Sequence, residues 1–109
     1  MFNRPAYYKR AKKSRLARST APVCTHLPVI SGVVNAGAGE VLHCKEGTWD
    51  NAKSYAFQWK RGGSNLSGAT SGDYTTQAGD VGQTLTCVVT ATNLVGDTTA
   101  TTPGRAVTA

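Results

Sequence analysis

Leu85, Cys87, Val89 and Ala91 take every second position of the stretch QTLTCVVTATN (83–93). A chain with that period buries them together only as one face of a β-strand, because successive strand side chains point to opposite sides. SYAFQWKR (54–61) repeats the pattern, with Tyr55, Phe57 and Trp59 on one face and Ala56, Gln58 and Lys60 on the other. Shorter β-rich stretches lie at 27–34 (LPVISGVV, with an edge-type Pro28), 40–44 (EVLHC), 73–77 (DYTTQ) and 97–102 (DTTATT). Gly62-Gly63, the Asn93–Asp97 segment with Gly96, and Pro103-Gly104 punctuate them as turns. The spacing predicts an all-β domain, an antiparallel sandwich of about seven strands without a helix or an internal repeat.

Three inward positions form a constellation in this pattern: Cys44 on an early strand, Trp59 on the next and Cys87 on a late one. This is the arrangement at the centre of an immunoglobulin-type sandwich. With GTW (47–49), YAFQWKRGGSNLSGATSGDYT (55–75) and DVGQTLTCVVTATNLVG (80–96), residues 27–102 resemble the small immunoglobulin-like domains of bacterial surface proteins and tailed-phage structural proteins. The resemblance implies a binding or display module of a capsid, tail tube or fibre, without an active site. It departs from antibody domains at Leu85, where a tyrosine corner would place a Tyr, and in the 42 residues between the two cysteines. The pair Cys44–Cys87 is either a disulfide crossing the gap of about 10 Å between sheets or two buried thiols beside the indole. The cytoplasm of a host favours thiols, and the medium that a released virion meets favours the bond. The bond would stabilise the domain by roughly 3–4 kcal/mol in the chain-entropy model.

Charge divides the chain in two. Of 12 Lys and Arg, seven lie in the first 20 residues, where there is no acid. Residues 22–109 hold five bases against all six acids, a net charge of −1. The basic character therefore belongs to an N-terminal arm, residues 1–21, and the sandwich domain is expected over 22–109. The arm reads as a short helix from Ala6 to Ala17 or as an extended strap. Its composition, poor in acids and rich in Arg and Ser, is shared with mitochondrial transit peptides, but no apolar run of signal-peptide or membrane-span length follows it.

Nothing in the pattern points to catalysis. The acids are scattered near turns, and no Gly-X-Ser-X-Gly occurs. Cys24-X-His26 is not a zinc-finger spacing, and His43 and Cys44 as strand neighbours face apart, so neither a metal nor another cofactor is expected. Cys24 is left over as a free thiol near the arm junction. Gly62-Gly63-Ser64 lacks a phosphate-binding signature and reads as a hairpin turn.

The arm carries the functional expectation. Arg4, Lys9, Arg10, Lys12, Lys13, Arg15 and Arg18 are its charges, with Tyr7, Tyr8 and Leu16 as apolar anchors. They suit an acidic protein surface, since Arg and Tyr anchor interfaces. They also suit nucleic acid, through counterion release and base stacking. The domain adds no basic surface to extend a nucleic-acid footprint, so the first is preferred. Together with the resemblance, this makes the chain a virion structural protein made in the host cytoplasm. It is expected to be a capsid decoration or cement protein on the outer capsid surface, held to the major capsid protein by its arm. Self-association on the particle and weak glycan or cell-surface contact are compatible with that role. A tail or fibre adhesion module and a nucleic-acid binder are the alternatives, and no enzyme activity or membrane insertion is expected.

Overall fold

The computed structural model describes residues 20–33 and 36–108. Ten strands run in chain order: β1 (Val23–His26), β2 (Val29–Ser31), β3 (Val41–Lys45), β4 (Thr48–Asp50), β5 (Ser54–Arg61), β6 (Ser64–Asn65), β7 (Asp73–Thr75), β8 (Thr84–Thr92), β9 (Asp97–Thr101) and β10 (Arg105–Ala106). One 3₁₀ turn, Ala78–Asp80, leads into β8. All pairings are antiparallel. The domain is all-β and sandwich-like.

The principal sheet is built on β5 and β8. They pair from Ser54↔Thr92 to Arg61↔Leu85, which sets Tyr55, Phe57 and Trp59 opposite Ala91, Val89 and Cys87. This is the face expected from the period of two. Trp59, Leu85, Cys87, Val89 and Ala91 are buried, while Tyr55 at the strand's open end stays 39% exposed. β6 follows β5 through the two-residue loop Gly62-Gly63, with Arg61 opposite Ser64. Both glycines have positive φ, 55° and 88°, as a type I′ hairpin turn demands.

On the other side of β8 lie β9 and then β10. They are one edge interrupted at Thr102. Its backbone N–H donates to the Cys87 carbonyl at 3.0 Å, and its buried hydroxyl accepts the Cys87 N–H at 3.0 Å. The side chain thus completes the ladder where Pro103 and Gly104 would break it.

A second sheet has the order β2-β3-β7. Ile30, Cys44, Leu42 and Tyr74 share its inner face, paired as Ile30↔Cys44 and Leu42↔Tyr74. They meet Trp59, Leu85, Cys87, Val89 and Val107 in a single core. The first strand is shorter than the expected 27–34, and the chain forms more than the seven strands expected. β1, β4, β6 and β10 are added, each four residues or fewer. β1 and β4 make a separate ribbon, with Cys24 opposite Trp49. Gly47 sits where this ribbon crosses the β1–β2 link. A side chain there would collide with the His26 carbonyl and the Pro28 nitrogen, and its φ of 86° already favours glycine.

Trp59 is the largest buried side chain. Its Nε1 donates to the Ser71 carbonyl at 2.8 Å, and its ring stacks on Tyr74 with centroids 5.4 Å apart. Trp59→Ala should cost about 3–5 kcal/mol in denaturant unfolding, whereas the same change at exposed Tyr55 should cost well under half as much.

Candidate functional site: a clamp between the sheets and a clasp at the arm junction

Two polar clusters organise the domain, and neither is visible as a motif in the sequence. The first surrounds Asp80, whose side chain is fully buried. Arg61 Nε donates to its Oδ1 at 2.6 Å, Tyr74 Oη to its Oδ2 at 2.7 Å, and the Gln77 N–H to Oδ2 at 2.7 Å. Arg61 ends β5 in one sheet and Tyr74 lies on β7 in the other, so one carboxylate ties the two sheets together. Burial alone would push the Asp80 carboxyl up. The hydrogen bonds from Tyr74 and Gln77 and the Arg61 guanidinium prevail and hold it below the usual carboxylate range. Tyr74 responds oppositely: burial and its bond to the carboxylate push its phenol up to about 12. Tyr74 thus ties β7 to the turn before β8 through a part-buried hydroxyl.

Opposite this clamp, Arg105 on β10 reaches across to the second sheet. It donates to the carbonyls of Ile30 at 3.1 Å and Gly32 at 3.2 Å, and to that of Val33. These bonds occupy carbonyls around β2 that would otherwise be an open edge.

Between the two bridges lie Cys44 and Cys87, both buried and both free thiols. The Cys44 thiol donates weakly to the Lys45 carbonyl at 4.0 Å and the Cys87 thiol to the Val88 carbonyl at 3.9 Å. The neighbouring Cys87 thiol, with burial second, pushes the Cys44 thiol far up, so it stays protonated at neutral pH. Cys24 is partly exposed on β1. His43 is exposed on β3 and pairs with Asp73 at 2.7 Å, while its neighbour Cys44 is buried. Among the described residues no three His, Cys, Asp or Glu side chains gather as a metal would need, and no helix is long and apolar enough to cross a membrane.

The second cluster is a clasp at one end of the domain, where the described chain begins. Asn93, just past β8, donates through Nδ2 to the Thr20 carbonyl at 2.8 Å and the Asn51 carbonyl at 2.9 Å. Its Oδ1 accepts the N–H groups of Val95 at 2.8 Å and Gly96 at 3.1 Å. Asn51, held at a φ of 67°, donates to the Thr20 hydroxyl at 2.8 Å. Left-handed backbone suits Asn better than any other side-chain-bearing residue. The β8–β9 hairpin, the β4–β5 turn and the root of the arm are therefore fastened to one another. Asn51, Ala52, Lys53, Asn93, Leu94 and Val95 line an open hollow of about 340 Å³ here. Leu94 is 95% exposed and Val95 53%.

The arm residues expected to hold a partner, from Arg4 to Arg18, lie outside the described residues. Of the expected core constellation, Cys44, Trp59 and Cys87 all converge in the core. Asp80 and Asn93 were missed. Gln77-X-X-Asp80 carries the spacing of a capping box, the one local signal that could have exposed Asp80. Its partners Arg61 and Tyr74 are non-local and leave no such trace. Comparison of the chain with protein-family models, curated proteins and solved structures finds no match.

Two predictions follow from these groups. Asp80 has a folded pKa below its unfolded value of about 3.9, so its contribution is full above about pH 4 and is lost as pH falls through the folded value. Asp80→Ala should cost about 1–3 kcal/mol at neutral pH and flatten the acid limb of a stability–pH curve, measured by urea unfolding at successive pH values. Maleimide should label Cys24 alone in the native reduced protein, and all three cysteines in denaturant without added reductant. Resistance of Cys44 and Cys87 to labelling in denaturant, relieved by reductant, would mark a disulfide instead.

Proposed function

We propose that this chain is a structural protein of a phage particle, a capsid decoration or cement protein. Its basic arm anchors it to the shell, and its domain, of the immunoglobulin-like type, faces outward. The observation that carries the proposal is the charge division: seven cations and no acid in the first 20 residues, against a net −1 in residues 22–109. An arm of that kind seeks an anionic partner, and the domain supplies no basic surface of its own to extend the contact.

The domain type is supported by the pairing. One sheet has the order β2-β3-β7, the other runs β6-β5-β8 with β9 and β10 beyond, and Cys44, Trp59 and Cys87 meet between them. This order, with those residues between the sheets, supports the immunoglobulin-like reading. The described surface carries open hollows, one lined by residues 51–53 and 93–95 and one beside Tyr74, while the titratable cluster of Asp80, Arg61 and Tyr74 links the two sheets. Such a surface suits adhesion and display on the outer face of a virion.

The partner is the major capsid protein or another shell protein, presenting carboxylates to the arm. Nucleic acid is the competing partner for the same cations, and Tyr7 and Tyr8 would then stack on bases. Deleting residues 2–19 while keeping the Thr20 clasp should leave the domain folded and reduce occupancy on particles at least tenfold, measured by quantitative mass spectrometry of purified virions. Unchanged occupancy would remove the anchoring role.

A further inference from the structure

β9 bonds to β8 along one side of its backbone. Two bonds fix which of its groups face that neighbour. The Asn93 N–H donates to the Gly96 carbonyl at 3.0 Å, and the Thr102 N–H to the Cys87 carbonyl at 3.0 Å. Hydrogen-bonded pairs alternate along an antiparallel ladder, and the register between these two ends is unbroken. Thr98 and Ala100, opposite Ala91 and Val89, therefore point their backbone groups at β8. Asp97, Thr99 and Thr101 point theirs away, and no described residue bonds to these N–H and C=O groups. All three residues are exposed, whereas Thr98 and Ala100 are half-buried.

The other described edges are blunted. Arg105 occupies carbonyls around β2. Beside β7, Gln77 Nε2 donates to the Thr75 carbonyl at 3.2 Å, and the Asp73 N–H donates to the Ser71 hydroxyl at 3.3 Å. β6 is two residues long, and the chain just past β10 is bonded to the Ala36 carbonyl. β1 contains a register shift. β9 has none of these devices: its sequence, DTTAT, has no Lys or Pro, and it keeps one register with β8 throughout. β1 runs close to β9 but bonds to β4. A straight edge of open donors and acceptors is a template for another extended backbone.

The edge is also complementary to itself. Laid antiparallel on a second copy about a two-fold axis at Thr99, it sets Thr99 against Thr99 and Asp97 against Thr101 at both ends. In this register every open residue of one copy meets an open residue of the other. The two Asp97 carboxylates stand at opposite ends of the ladder, whereas a slip that opposed them would set like charges together. Thr99 sits opposite Thr90 of β8, so a row of threonines would run across the joint, a favourable cross-strand pairing. Such a contact is isologous and closes at two copies.

We propose that β9 is a self-association edge, through which two copies of this chain pair β9 with β9 by the backbone groups of Asp97, Thr99 and Thr101. Their principal sheets then become one continuous sheet. The proposal rests on the sheet alone and is independent of the shell-anchoring reading above.

The test is sedimentation equilibrium of the full-length chain in reductant, up to about 1 mM, where even weak specific contacts register. A dimer should form. Thr99→Lys sets like charges against each other at the axis and should weaken the dimer roughly tenfold, part of the loss returning in high salt. Thr99→Pro removes an N–H that β8 does not use and should abolish the dimer. Ser64→Lys, on the opposite edge, should leave it unchanged, and melting curves should show all three variants folded. In a Cys24→Ser background, Thr99→Cys should cross-link to its counterpart under mild oxidant, and Ser64→Cys should not. A chain that stays monomeric throughout, a dimer that survives both Thr99 variants, or no cross-link at Thr99 would each overturn the proposal.

Discussion

A single carboxylate holds the two halves of this domain in register. Asp80 is wholly buried, and a buried charge is tolerable only when its lone pairs are met. It draws one donor from the end of β5, one from β7 and one from the turn that feeds β8. The three segments must be in place together for any of these bonds to be made well. Tyr74 extends the arrangement inward, since the same ring that donates to Asp80 stacks on Trp59. The largest side chain of the core and its most demanding polar group are thus neighbours, and each positions the other.

This changes the view of the sandwich interior. With Cys44 and Cys87 as thiols, no covalent bond crosses the gap between sheets. The hold comes from apolar packing at the centre and from hydrogen-bonded bridges at the rim, Asp80 on one side and Arg105 on the other. A disulfide formed later between the same two cysteines would add to a structure that is already complete.

The core was largely legible in the sequence. Leu85, Cys87, Val89 and Ala91 could share a face only in a strand, and Gly62-Gly63 between two β-rich runs reads directly as a hairpin. Both patterns are local, so the structure could only place them. The short strands were not legible. β4 is three residues and β10 is two, too few for a period of two to show, and they exist because a neighbouring strand offers them a ladder. β1 contains a register shift between Cys24 and His26 and is mostly exposed, so its side chains carry no burial pattern. The clasp was hidden for a different reason. Asn93 was evident as a turn residue, but its partners Thr20 and Asn51 are distant in sequence and give no local signal.

By itself the sequence determined the period of the strands, the position of the tight glycine turn and the separation of a basic arm from a nearly neutral domain. These are properties of neighbouring residues, set by backbone sterics and by charge counted along the chain. Only the tertiary structure decided which of six acids is buried, and that the arm takes root beside an exposed leucine. Both depend on which strands pair and where the loops between them converge. Pairing is won by burying one common core, and a one-dimensional pattern does not record which distant segments that core will bring together.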